Sequence, residues 1–269
     1  MKSMMLTWLV FAITMMSSGV AGALPVITNG LVAAYEFNGH ANDVSGNGKN
    51  GVVSGATLTE DRFGNPNSAY SFDGFSDFVS IDAQISGYSE FTQLAWIESA
   101  SPVSLGETRI LQIGIGGMML DTALNELIFE IQADRDGGAS NGSSPSNRYV
   151  YQLTAPDSSS GWNQLALTGY SDNSFSLYIN GSQVYSGVGV ADGGQVGNYD
   201  NSLIGAGNRS QNPPGSEGSF FAGSIDDVYI YDRALSASEV QTLYSAVPEP
   251  TTAVLVGLGL IGLGVRRRS

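Results

Sequence analysis

Gly223-Ser224-Ile225-Asp226-Asp227-Val228-Tyr229-Ile230-Tyr231 shows the alternation of apolar and polar residues that a β-strand produces. Strand periodicity places Asp226 on the same face as Val228 and Ile230, which should be the core face. Burying an ionised carboxylate is costly unless a cation or convergent hydrogen-bond donors compensate for the lost water. The sequence therefore predicts a partner opposite Asp226, and the nature of that partner bears on fold and function.

The first residues of the chain have the organisation of a secretory signal peptide. Lys2 supplies the positive start, an apolar run extends from Met4 to Met16, and Ala21-Gly22-Ala23 is an A-x-A cleavage site. The run is shorter than the ~20 residues of a membrane-spanning helix, which favours cleavage over an uncleaved anchor. We expect residues 1–23 to be a signal helix that is removed after Ala23.

Residues 248–269 form a second targeting segment. Pro248-Glu249-Pro250 is followed by an uncharged run from Thr251 to Val265 and then by Arg266-Arg267-Arg268. As a helix the run would reach only ~22 Å, which is marginal for a ~30 Å hydrocarbon layer, and the arginines favour the cytoplasmic side. We expect a single C-terminal transmembrane helix with the globular part outside the cytoplasm.

The order of these three parts resembles the PEP-CTERM sorting signal of Gram-negative bacteria. The resemblance implies processing near Pro-Glu-Pro by exosortase, a membrane enzyme, and delivery to the cell surface or an exopolysaccharide-rich extracellular matrix. Anchoring in the inner membrane would then be transient. A plain tail anchor is the alternative.

The body of the chain, residues 24–247, has the length of one large all-β domain. All of the 25 acidic residues except Glu249 lie in the body, whereas four of the 11 Lys and Arg residues lie outside it. The body is therefore strongly acidic. Nucleic acid is disfavoured as a partner because phosphate neutralisation needs clustered Lys and Arg. The chain has no cysteine and a single histidine, His40, in a polar segment, which argues against thiolate chemistry, a histidine-rich metal centre and a Ser-His-Asp triad.

Short runs of β-branched and aromatic residues, separated by clusters of Gly, Asn, Asp, Ser and Pro, predict a two-sheet antiparallel sandwich. Two long polar segments, 134–147 and 192–219, predict loops, apart from a strand near Leu203. The predicted strands are Leu31 to Phe37, Gly51 to Leu58, Ala69 to Phe72, Phe78 to Ile81, Thr92 to Glu98, Arg109 to Ile115, Leu127 to Ala133, Tyr149 to Leu153, Gln164 to Tyr170, Phe175 to Ile179, Gln183 to Ser186, Leu203 to Ala206 and Gly223 to Tyr231.

Two local signals are specific. Asn180-Gly181 separates two of these strands and predicts a type I′ hairpin turn, because both residues tolerate positive φ. Ser236 with Glu239 three residues later predicts a capping box that opens a short helix from Ala237 to Tyr244.

Several segments, taken in order, resemble the LamG-like, concanavalin A-like jelly-roll domains of bacterial surface proteins. The resemblance spans nearly the whole body and implies an all-β, two-sheet antiparallel jelly-roll sandwich. The usual histidine pair after Trp162 is replaced by Asn163 and Gln164, which does not affect the predicted fold. The matching segments are Leu31 to Gly39, Asp43 to Gly51, Ser71 to Val79, Trp162 to Thr168, Leu177 to Gly181 and Phe221 to Ser236.

The same resemblance implies one structural calcium ion. Many relatives bind it through an aspartate of the last strand and through oxygens near the first strand and an early glycine turn. By position these are Asp226, Glu36 or Asn38, and the carbonyl of Gly74. Calcium suits such a site because it accepts 6 to 8 oxygen ligands, backbone carbonyls included. The alternative is that Asp226 accepts backbone N–H bonds without a metal.

Catalysis is weakly indicated. Some glucanases of this architecture carry carboxylates in a Glu-x-Asp-x-x-Glu pattern, and the nearest stretch here runs from Glu126 to Asp134, with Gln132 at the middle position. Glu130 and Asp134 would lie ~13 Å apart along a strand, too far for a retaining pair at ~5–5.5 Å. A non-enzymatic protein is therefore expected, with a glycan hydrolase as the alternative.

Carbohydrate or matrix binding is the expected function. Tyr149, Tyr151 and Tyr199 lie in or beside the long polar segments, where their rings would be able to stack on sugar rings of an exopolysaccharide or surface glycan. Ordinary edge-strand packing would also explain each tyrosine. A purely structural matrix subunit, which binds no glycan, is a third alternative.

Overall fold

The computed structural model of the protein describes residues 27–81, 88–99, 107–113, 116–121, 126–131, 147–152, 161–172, 174–188, 202–208 and 217–246. The predicted signal peptide and the sorting segment, from Ala23 back and from Pro248 on, lie outside these residues. The strands are β1 Leu31–Tyr35, β2 Gly51–Ser54, β3 Thr57–Thr59, β4 Ala69–Asp73, β5 Phe78–Ile81, β6 Phe91–Ser99, β7 Glu107–Ile113, β8 Gly116–Asp121, β9 Glu126–Ile131, β10 Asn147–Gln152, β11 Asn163–Gly169, β12 Ser174–Ile179, β13 Ser182–Val188, β14 Ser202–Ile204, β15 Gly207–Asn208, β16 Glu217–Gly218 and β17 Ala222–Tyr231, and the helix is α1 Ala237–Ser245.

The strands form two antiparallel sheets, which confirms the predicted jelly-roll sandwich. Sheet A has eight strands in the order β13-β12-β11-β6-β17-β4-β3, with β1 also paired to β17. Sheet B has seven strands in the order β10-β9-β8-β7-β14-β5-β2, and β15 pairs with β16 separately. The last strand, β17, pairs with β6 along one side and with β4 and β1 along the other, so it holds three separate parts of the chain together.

Two hydrophobic clusters stabilise the fold. The larger one lies between the sheets and takes Ala95 and Ile97 from β6 together with Leu111 from β7. The smaller one lies on the other face of sheet A, where Leu94 of β6 packs in one cluster with Val240 and Leu243 of α1. Sheet A is therefore buried on both faces, by sheet B and by the helix.

A β-bulge in β17 changes the predicted orientation of Asp226. The register against β6 shifts between Asp226 and Tyr229, and the intervening Asp227 has a φ of 42°. Because a bulge inserts one extra residue, the alternation of faces restarts after it. Ile225 and Val228 both join the cluster between the sheets, whereas Asp226 pairs with Trp96, whose ring stacks on Tyr244 of α1. The prediction that Asp226 shares a face with Val228 and Ile230 is wrong, and Asp226 lies on the helix side of sheet A.

Another expectation also fails for a local reason. The predicted strand from Gly51 to Leu58 is two strands, β2 in sheet B and β3 in sheet A. Gly55 between them has a φ of 78°, which only glycine adopts readily and which lets the chain cross from one sheet to the other.

The predicted hairpin turn and capping box are confirmed. Asn180 and Gly181 have φ values of 50° and 73°, as a type I′ turn requires, and Ser236 exchanges hydrogen bonds with Glu239 at the start of α1. Among the residues described, no helix is long and apolar enough to span a membrane.

Candidate functional site

The partner of Asp226 is an arginine. Asp226 is only 2% exposed, and its Oδ2 accepts a hydrogen bond from Nη1 of Arg62 at 2.7 Å. The same Nη1 lies 2.6 Å from Oδ2 of Asp227, while Oδ1 of Asp226 accepts from the Asp227 N–H at 2.8 Å. One guanidinium therefore links the two adjacent carboxylates of the bulge.

A short loop after β3 positions Arg62. The Asp61 carboxylate accepts from the N–H groups of Phe63 and Asn65, each at 2.8 Å, and from the Asn65 side chain at 2.8 Å. These bonds close the loop on itself, which directs the neighbouring Arg62 over sheet A. The sequence analysis did not predict a role for Arg62. The signal for it was the stretch Asp61-Arg62-Phe63-Gly64, because a turn-forming aspartate beside one of the few basic residues indicates an ordered cation.

Aromatic rings enclose the guanidinium. Its central carbon lies 4.4 Å from the ring centroids of both Phe63 and Trp96, a distance at which cation–π attraction is significant. Trp96 in turn stacks on Tyr244 of α1, with centroids 5.5 Å apart and planes 16° apart. We call these four residues, Phe63, Arg62, Trp96 and Tyr244, the Arg62 stack. It connects the loop after β3, sheet A and the last turn of the helix.

Acidic groups outnumber the cation in this region. Burial, followed by the charge of Asp227, raises the pKa of Asp226 well above its ordinary value, although Arg62 opposes the change. Burial also raises the pKa of Asp227, against the charge of Arg62 and a hydrogen bond from the Tyr229 hydroxyl. Asp61 adds a third carboxylate near both. A protonated acid is therefore favoured somewhere in the cluster.

Glu36, at the end of β1, is the clearest candidate for that proton. It is 6% exposed, and burial, reinforced by the nearby charge of Asp227, raises its pKa to about 7. Its Oε2 accepts only a long bond of 3.5 Å from the Asn38 amide, and among the described residues its Oε1 has no hydrogen-bond partner. An acid in this setting is stable as the neutral form at pH values where an exposed glutamate is ionised.

These residues do not fit the calcium site that the family resemblance implies. Glu36 and Asn38 lie close together and Asp226 is in the same cluster, but Asp73 pairs with Ala222, four residues before Asp226. Gly74 is therefore at least ~13 Å away along the strand, whereas calcium ligands lie within ~2.6 Å of the ion. Arg62 already contacts Asp226, and in the described part of the chain no group of three or more His, Cys, Asp or Glu side chains is arranged to hold a metal.

The tyrosines predicted to bind sugars are only partly placed by the structure. Tyr149 and Tyr151 lie in β10, opposite Phe129 and Leu127 of β9. Tyr199 lies outside the described residues, so the predicted set stays untested.

A different aromatic side chain is prominently exposed. Phe75, in the turn between β4 and β5, is 74% exposed. Oδ1 of Asp73 accepts from the N–H groups of Phe75, Ser76 and Asp77 at 2.8, 2.9 and 3.2 Å, and Oδ2 of Asp77 accepts from the Asp73 N–H at 3.0 Å. Asp73 and Asp77 are thus turn-forming residues, and their hydrogen bonds fix the backbone of the turn that carries Phe75.

Phe75 lies three residues before Phe78, the first residue of β5 in sheet B. Val53 and Val79 pair with each other and face the core, so Val52 of β2 and Phe78 of β5 lie on the outer face of the sheet, near the turn. Val52 is 60% exposed. We call Phe75, Phe78 and Val52 the Phe75 ledge. Farther in on the same face, Leu203 and Gln112, which pair with each other, are buried.

The carboxylates that a hydrolase would need are only partly described by the structure. Glu130 of β9 lies opposite Gly117 on one side and Arg148 on the other, and Asp134 lies outside the described residues.

Comparison with known proteins agrees with the geometry. A family model described as the concanavalin A-like lectin/glucanases superfamily matches residues 72–241, and a model of the PEP-CTERM protein-sorting motif matches residues 246–268. No curated protein matches the chain.

Solved structures of similar fold include toxin binding domains. The binding domain of Paraclostridial Mosquitocidal Protein 1 is 18% identical, with a TM-score of 0.62, and the match covers 81% of this chain and 52% of that one. The binding domain of botulinum neurotoxin serotype D is 15% identical, with a TM-score of 0.59 and the same coverage. A second structure, of the ligand-binding domain of that serotype in complex with N-acetylneuraminic acid, is also 15% identical. Its TM-score is 0.59, and the match covers 81% of this chain and 51% of that one. The chain spans about half the length of these structures, and at such identities the likeness concerns the fold alone.

Proposed function

Because the chain belongs to the concanavalin A-like lectin/glucanase superfamily and carries a PEP-CTERM motif, we propose that it is an exported surface or matrix protein that binds a glycan through the Phe75 ledge. The motif indicates export and sorting by exosortase to the cell surface. The finer steps, an exopolysaccharide-rich matrix as destination and sugar as ligand, are part of the proposal.

The observation that carries it is the presentation of Phe75. An exposed aromatic ring offers a flat apolar surface, and its edge and face can pack against the C–H groups of a sugar ring. Three backbone bonds to Asp73 fix the turn before any ligand arrives, so binding would cost little additional ordering of the loop. The fold makes no internal use of a ring that is 74% exposed.

A glycan array probed with the purified protein tests the proposal. We expect retention on at least one glycan and a decrease in affinity of about tenfold or more in Phe75→Ala, as for loss of an aromatic anchor. Val188→Ala is the matched control, because Val188 is 71% exposed on the edge strand β13 at the other side of sheet A, and its affinity should be unchanged.

Other outcomes would assign the function differently. Binding that survives Phe75→Ala but is lost in Tyr199→Ala would return the site to the long polar segments. Retention on no glycan would favour a structural matrix subunit. Release of reducing ends from β-glucans, lost in Glu130→Gln, would establish a hydrolase.

A further inference from the structure

The helix α1 is the last element that the structure describes before the sorting motif. Its Val240 and Leu243 are buried against sheet A. At the turn between β12 and β13 the packing is close enough that an added Cβ on Gly181 would lie 2.9 Å from the Cβ of Tyr244. One face of the helix therefore packs directly on the domain.

Both ends of α1 are fixed. Before its first residue, the Thr92 hydroxyl donates to the Arg233 carbonyl and accepts from the Leu235 N–H, each at 2.9 Å. Arg233 also pairs with Glu239 through two bonds of 2.6 and 3.0 Å. At the other end Tyr244 belongs to the Arg62 stack, where it packs on Trp96.

Little chain separates this fixed helix from the sorting motif. The helix ends at Ser245, and the match to the motif begins at residue 246. Three residues from Ser245 to Pro248 span at most ~11 Å even when fully extended. Proteolysis takes place preferentially on exposed and poorly ordered segments of a chain. A docked α1 leaves too little free chain on the N-terminal side of Pro-Glu-Pro.

We propose that docking of α1 on sheet A limits the access of the membrane processing enzyme to Pro248-Glu249-Pro250, so that processing requires the last turn of the helix to detach. Its rate then follows the population of the detached form, as proteolysis of locally opened proteins does. The Arg62 stack is the contact that sets this population at the end nearest the motif. The inference rests on the sorting motif and is independent of glycan binding.

Two changes to the full chain distinguish the effect of helix docking from the effect of the length of the segment between α1 and Pro248, which we call the tether. A six-residue Gly-Ser insertion between Ala246 and Val247 lengthens the tether and leaves α1 intact. Tyr244→Ala removes the contact with Trp96 and should raise the detached population about three- to tenfold, the value of one aromatic stack. Thr242→Ala, at an exposed position of the same helix, is the control.

The measurement is the rate at which the unprocessed form disappears in a pulse-chase experiment in cells that contain the processing enzyme. We expect the insertion to accelerate processing at least threefold, Tyr244→Ala to accelerate it about three- to tenfold, and Thr242→Ala to change it less than twofold. Combining Tyr244→Ala with the insertion should give no further acceleration. An unchanged rate in the insertion variant would overturn the proposal, as would an unchanged rate in Tyr244→Ala with a normal response to the insertion.

Discussion

Replacing Glu36 with glutamine should change how the stability of the protein depends on pH. Glu36 is buried, and its pKa is raised from 4.5 to about 7 in the folded state. An acid of this kind binds more protons when folded than when unfolded. Its contribution to stability is therefore complete below pH 4.5 and is lost as the pH rises through about 7.

The size of the effect follows from the two pKa values. The interval from 4.5 to about 7 corresponds to about 3 kcal/mol in the free energy of unfolding. Glutamine carries no charge at any pH and keeps the shape of the side chain. When the pH rises from 4 to 8, Glu36→Gln should therefore gain about 3 kcal/mol of unfolding free energy relative to the native protein. For a domain of this size, that gain corresponds to about 6–12 °C in melting temperature.

Urea denaturation followed by tryptophan fluorescence at pH 4, 6 and 8 measures this difference. Asp226 and Asp227 titrate in both proteins, so their contributions largely cancel in the comparison. A difference that stays constant across the three pH values would refute the reasoning, because it would mean that Glu36 is ionised in the folded protein like an exposed glutamate.

Asp43→Asn is the control of opposite sign. Burial alone would raise the pKa of Asp43, but bonds from the N–H groups of Ala34, Ser45 and Lys49 and from the Ser45 hydroxyl lower it overall. An acid with a lowered pKa contributes stability that is present above its unfolded pKa of 3.8 and lost as the pH falls through the folded value. Asp43→Asn should therefore cost most at neutral pH and least in acid.

Three more results are expected. Arg62→Met should lower the unfolding free energy by about 3–5 kcal/mol, since it leaves Asp226 and Asp227 buried without their cation; a loss below about 1 kcal/mol in urea titrations would show that the pair is not needed. The melting temperature should be the same in the presence of a chelator and in the presence of excess calcium. A higher melting temperature with calcium would support the calcium site that the family resemblance implies, because a ligand that binds only the folded state must stabilise that state. Asp73→Ala should free the turn that carries Phe75 at a cost of about 0.5–1.5 kcal/mol and should weaken glycan retention. Retention equal to that of the native protein would show that turn rigidity is unimportant.

Sequence predicted best where the determining contacts are local. The Asn180-Gly181 turn and the Ser236 capping box depend on residues within four positions, and both are present. The β8 strand was missed because Gly116-Gly117 at its start is typical of a turn, and its pairing with β7 and β9 overrides that preference.

The partner of Asp226 was missed for the opposite reason. Arg62 is 164 positions away from it, and the bulge that turns Asp226 toward the helix depends on how β17 pairs with β6. Periodicity cannot reveal an inserted residue, because it assumes that the alternation is unbroken. The need for a partner was correctly inferred from the cost of burying a carboxylate, while the identity of that partner required the fold.

The position of β17 has a consequence for how the domain forms. Strands β1 and β4 come early in the chain, yet both pair with β17 near its end. Contacts between distant parts of a sequence form slowly, because a long loop must close before they are gained. Sheet A therefore cannot be completed until the chain has been synthesised as far as β17, and we expect the closure of these long loops to limit the rate at which the domain folds.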